Sequence, residues 1–98
     1  MYIVALHEIL VQEVAFGRGQ RMIDGEGAPS GVRVLQFYPS EDATRVTCLW
    51  EGPTVDAVQT YVDTTLGDAS KNTCYAVNAE QGFAERPLGL HAAPAAAG

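Results

Sequence analysis

Five side chains in this sequence are of types that could do chemistry or hold a small molecule: His7, Tyr38, Trp50, Tyr61 and Tyr75. An imidazole titrates near neutrality, so His7 is suited to take a proton from a substrate and return it. The other reading is a hydrogen-bonded histidine where a strand meets a helix. The four aromatic residues would wall a cleft for a flat apolar molecule, their hydroxyl and indole tips supplying the polar contacts. Taken singly, each also suits core or dimer packing, so the ligand-binding reading depends on their converging. Asp63 could pair with His7, because a nearby carboxylate raises an imidazole pKa and fixes its tautomer. Two positions from Tyr61 on a helix, it would point about 200° away from that residue, which favours a solvated carboxylate.

Other chemistries find less support. A metal site needs several convergent ligands, but the only other histidine is His91 in the C-terminal tail, and Glu8 faces the opposite side of a strand from His7. No metal ligand and no cofactor are assigned. Cys48 lies in mid-strand on an apolar face with no base beside it, the setting of a packing residue and not of a nucleophile. Gly17-x-Gly19 does not follow a strand as a phosphate-binding turn would. Six basic against twelve acidic residues give a net charge of −6, which repels nucleic acids and anionic membranes. Two cysteines without a Cys-x-x-Cys pair are too few for a disulfide framework, and a reduced, cytoplasmic protein is expected. The N-terminus has neither a basic leader nor an apolar run near the ~20 residues of a membrane span, so neither signal peptide nor anchor is expected.

These side chains need a scaffold, and 98 residues at 47% hydrophobic fit one domain with a real core. Residues 2 to 7 or 9 are apolar with little alternation, as in a central strand covered on both faces. From about Glu8 to Asp24, Leu10, Val14 and Met22 recur on one side of a helix whose polar side carries Gln12, Glu13, Arg18 and Arg21. Gly17 and Gly19 weaken it by roughly 1 kcal/mol each relative to Ala and could bend or break it. A glycine-rich loop over 25–31 follows. Val32–Tyr38 and Thr44–Trp50 predict an antiparallel hairpin turning at Pro39–Ala43, with Val46, Cys48 and Trp50 on one wholly apolar face. After Gly52-Pro53, Thr54 is a helix N-cap and Asp56 a first-turn acid. Val55, Val58, Val62 and Leu66 then repeat at helical spacing before Gly67 closes the element. The polar run Asp68–Asn72 leads to a fourth strand over Thr73–Ala79.

Strand, helix, strand, strand, helix, strand is the ferredoxin-like βαββαβ order of an α+β fold. Two right-handed crossovers put both helices on one face of a four-stranded antiparallel sheet. The domain spans residues 1–84, and 85–98, with Pro87, Gly89 and Pro94, form a tail that is either flexible or laid on a partner. Apolar side chains on both sides of the second and third strands predict that the bare sheet faces of two copies pack together.

With that topology, the segment Cys48-Leu49-Trp50-Glu51-Gly52-Pro53-Thr54 followed by Ala57-Val58 resembles the dimeric α/β-barrel superfamily. That superfamily includes quinol monooxygenase-like enzymes, polyketide cyclases and stress-responsive barrels. The closer resemblance, over residues 32 to 80, is to a small subgroup that includes a nickel-binding protein and carries a Cys-Leu-x-Glu-Ala-Pro-like segment. Where that subgroup tends to place a histidine in the second helix, this chain has Tyr61 or its neighbours. The resemblance implies the dimeric fold. Together with His7 and the aromatic set, the expectation is a homodimer that binds a small aromatic or polyketide-like molecule and transforms it, without a cofactor, by acid/base chemistry. The alternative is a non-catalytic metal-binding, nickel-type or stress-response protein.

Overall fold

A computed structural model of the chain describes residues 1–85. Its elements are β1 (Tyr2–Ile9), α1 (Gln12–Ile23), β2 (Arg33–Pro39), β3 (Arg45–Glu51), α2 (Val55–Leu66) and β4 (Ser70–Ala76), with a single 3-10 turn, Gly67–Ala69, between α2 and β4. The strands form one sheet in the order β2-β3-β1-β4, every neighbouring pair antiparallel. This is the ferredoxin-like α+β fold expected from the element order. The tail expected over 85–98 lies, beyond Glu85, outside the described residues.

One face of the sheet carries the core. Ile3, Ala5 and His7 of β1 and Val46, Cys48 and Trp50 of β3 alternate inward, and Met22 of α1 with Val58, Tyr61, Val62 and Leu66 of α2 close over them. Thr54 begins α2 as its side chain accepts a hydrogen bond from the Ala57 amide at 3.0 Å, which satisfies a donor that the first turn leaves free. Just before it, Gly52 runs so close to α2 that a Cβ there would stand 2.8 Å from Cγ2 of Val58. The approach of strand end to helix therefore needs a residue without a side chain. In the β2–β3 turn, the Asp42 carboxylate accepts from the Thr44 hydroxyl at 2.7 Å, the Thr44 amide at 3.1 Å and the Ser40 hydroxyl at 2.8 Å. These bonds, led by that of the Thr44 side chain, hold the carboxyl down at about 2.

Three expectations need correction. The first helix does not open at about Glu8: β1 takes the longer of its two expected ends, because Glu8 pairs with Arg45 and Lys71 and Ile9 with Ser70. Helix α1 thus begins at Gln12, and it runs unbroken through Gly17 and Gly19, where a Cβ would meet nothing within 4 Å. The fourth strand begins at Ser70 and ends at Ala76, three positions earlier than Thr73–Ala79. Its backbone pairs with β1 whatever its side chains are, so polar Ser70 and Asn72 sit in a strand. Finally, β1 is covered on one face only in the single chain: Tyr2 and Leu6 are each 43% exposed on the other.

That open face is apolar across its centre. The register aligns Gln36, Leu49, Val4 and Tyr75 in one row and Tyr38, Thr47, Leu6 and Thr73 in the next, so that Leu49, Val4, Tyr75, Leu6 and Tyr38 form its apolar part. On β3 only Leu49 is a large apolar residue there, beside Arg45, Thr47 and Glu51. A register shift between Val34 and Gln36 turns Val34 and Phe37 toward the helices and leaves Tyr38 on the open side.

Candidate functional site

The inward alternation of β1 and β3 that builds the core also brings His7 and Trp50 to the walls of a cavity of about 210 Å³ between α1 and the sheet. Phe16 and Met22 of α1 and Cys48 of β3 supply apolar wall around them. Among the described residues, no lysine, arginine or carboxylate lines this space.

His7 is 4% exposed. Its Nδ1 lies 2.7 Å from Oδ1 of Asn72, while Nε2 is buried without a hydrogen-bond partner. Burial pushes the imidazole below its ordinary pKa, against the smaller upward pulls of the Asn72 hydrogen bond and the Asp63 charge. At neutral pH the ring is therefore uncharged and able to accept a proton. Trp50, fully buried, likewise keeps its indole N–H without a partner. Among the described residues these two nitrogens are the buried side-chain polar atoms that lack one, and both belong to residues that wall the same cavity. Buried polar groups are nearly always paired, so two orphan nitrogens on residues of one cavity wall set this region apart from the rest of the core.

A polar cluster stands behind His7. Asn72 Nδ2 donates to Asp63 Oδ1 at 2.9 Å, and the Ser70 hydroxyl donates to Asn72 Oδ1 at 2.7 Å. Gln59 Nε2 donates to Asp63 Oδ2 at 3.0 Å, and its Oε1 accepts from the Cys74 amide at 3.0 Å. The β1–β4 register sets His7 beside Asn72, and α2 carries Gln59 and Asp63 over β4.

Of the aromatic set, only Trp50 joins His7 at the cavity. The Tyr61 ring meets Trp50 edge-on with centroids 6.0 Å apart, and its hydroxyl donates to the Glu26 carbonyl at 2.6 Å. It supports the tryptophan from α2 and stands outside the cavity wall. Tyr38 and Tyr75 lie on the open face of the sheet, because their strand partners Thr47 and Val4 point that way. Asp63, considered as a direct partner of His7, reaches it through Asn72. Ser70 and Asn72, expected in the polar run ahead of the fourth strand, were not among the candidate site residues; the signal for them is their spacing of two, which puts both on the inward face of a strand.

Neither cysteine is held as a thiolate. Burial pushes Cys48 up to about 12 and Cys74 up to about 11. Both pair with Ala5, from opposite sides. Two strand spacings, about 10 Å, separate them, too far for a disulfide. Among the described residues no group of three or more His, Cys, Asp or Glu is gathered to hold a metal ion, and no helix is long and apolar enough to cross a membrane.

No protein-family model matches the chain, and no curated protein does. Solved structures do. SCO4226 from Streptomyces coelicolor A3(2) is similar over 80% of this chain and 96% of its own, with a TM-score of 0.52 and 18% identity. At that identity the likeness is one of fold. Rv0793 from Mycobacterium tuberculosis overlaps 88% of this chain and 98% of its own, at a TM-score of 0.47 and 15% identity. MtbAldR (Rv2779c) overlaps 92% of this chain and 59% of its own, at 0.47 and 16%.

Proposed function

We propose that this chain is a homodimeric protein of the dimeric α/β-barrel type that binds a small aromatic or polyketide-like molecule in the cavity between α1 and the sheet. His7 acts there as the base, and no cofactor is needed. The observation that carries this reading is the pair of unpartnered buried nitrogens, His7 Nε2 and Trp50 Nε1, on residues that wall one apolar cavity. A flat apolar molecule fills such a space through its rings and satisfies the orphan nitrogens through a few polar atoms. A cavity of about 210 Å³ favours compounds of one or two rings, since about 150 Å³ already holds benzene. Neutral His7 then takes a proton from a hydroxyl or an activated carbon and can return it elsewhere on the molecule. Two free cysteines too far apart to join suit a reducing compartment such as the cytoplasm.

Trp50 is the only tryptophan, so its fluorescence reads the cavity directly. Titration with one- and two-ring phenols and hydroxyketones is expected to change that emission saturably, and less so in a variant with Ala15→Phe, where a ring added to the cavity wall fills the space. No saturable response from any compound would reject the reading.

The dimer rests on the row of Leu49, Val4 and Tyr75 with Leu6 and Tyr38 beside it, an apolar area that a second sheet of the same kind covers. Light scattering at micromolar concentration is expected to give twice the chain mass, falling to the single mass in Leu6→Glu. A wild-type monomer would contradict sheet-to-sheet pairing.

A further inference from the structure

We infer that Asn72 is a positioning residue that fixes the tautomer of His7, and so sets the polarity the cavity offers to a ligand. The inference deepens the reading of His7 as a base and rests on it for its functional meaning, though its geometry is independent of any ligand.

An ionised carboxylate can only accept hydrogen bonds. Asp63 Oδ1, 2.9 Å from the Asn72 amide, must therefore face its NH₂ group, which turns the amide oxygen toward His7. That oxygen in turn can only accept, and at 2.7 Å from Nδ1 it requires the proton on Nδ1. A neutral imidazole carries one proton, so Nε2 is left with its lone pair. The Ser70 hydroxyl also donates to the same Asn72 oxygen at 2.7 Å, a bond compatible with this orientation of the amide; the orientation itself is set by Asp63, which can only accept. Asp63 thus orients Asn72, Asn72 orients His7, and the buried atom left unpartnered on this wall residue, Nε2, is an acceptor. A ligand has to bring a hydrogen-bond donor to it.

The remaining charged groups of the packed elements do not compete for this role. Glu8, Arg45 and Lys71 occupy the open face in one paired row, and Arg18 of α1 donates to the Leu66 carbonyl at 2.8 Å. The Cys48 thiol stays protonated. Asp63 is the charge whose field reaches His7.

Long-range proton–nitrogen NMR of the ligand-free protein reads the tautomer, with His7→Gln identifying the signal. The wild type is expected to show the Nδ1–H form alone. Asn72→Leu is expected to move the ring toward the Nε2–H form that free imidazoles favour. The exchange Asn72→Asp with Asp63→Asn keeps the chain of bonds but sets a carboxylate against Nδ1. It is expected to keep the Nδ1–H form and move the His7 titration upward, a response that a purely structural residue would not give. An Nε2–H wild type, or a titration unmoved by the exchange, would overturn the inference. Because no ligand is present, an Nδ1–H wild type with a failed fluorescence titration would sink the proposed activity while leaving the role of Asn72 standing.

Discussion

Replacing His7 by alanine is expected to lower turnover of any substrate found for the cavity by about 10²- to 10⁴-fold, the usual contribution of a positioned acid/base group. The effect should fall on kcat more than on KM, since the apolar walls that bind the molecule remain. His7→Gln, which can still donate to Asn72, controls for the loss of packing. The wild-type pH profile adds a sign. Burial holds His7 below its ordinary value of 6.5, so the base form persists at neutral pH and activity is lost as pH falls through the lowered pKa. Stability follows the same direction. In the window between that lowered value and 6.5 the unfolded chain binds the extra proton, so stability rises with pH there and is complete above 6.5. His7→Gln should remove that slope. Equal turnover in wild type and His7→Ala would take His7 out of the mechanism.

Trp50→Ala is expected to cost about 3–5 kcal/mol, the range for truncating a large buried aromatic. Against the 5–15 kcal/mol typical of a small domain, that leaves a marginal fold. The reason is position: Trp50 is 0% exposed at the heart of the core, edge-on to Tyr61, where few neighbours can collapse into the space. Trp50→Phe should cost much less, because the indole N–H has no partner to lose. Urea unfolding followed by circular dichroism measures both without needing the tryptophan signal. A loss below about 1 kcal/mol for Trp50→Ala would mean that the cavity and core are more plastic than their burial implies.

The fold was legible where side-chain pattern and backbone pairing agree. In β3 and α2 the alternation of Val46, Cys48 and Trp50, the Thr54 cap and the repeat of Val58, Val62 and Leu66 all point the same way, and the structure has them as read. It was less legible where they conflict. Ser70 and Asn72 look like loop residues because they are polar, yet β1 offers them a ladder of backbone bonds, and the strand forms three residues early. Those two residues are also the ones that hold His7, so the same conflict hid part of the candidate site. His7 and Trp50 could be picked out by type and strand position. The separation of Tyr38 from them could not, since it depends on the register shift near Leu35, which local pattern does not encode. Asp63 was visible as a partner for His7, but the intervening amide needed the three-dimensional pairing of β1 with β4.

The central claim is that the space between α1 and the sheet receives a small molecule against His7. Crystals soaked with a small phenol or hydroxyketone test it most directly. The expected result is density inside the cavity with a hydroxyl within hydrogen-bond distance of His7 Nε2. A cavity that stays empty while the compound settles on the open sheet face, or nowhere, would contradict it.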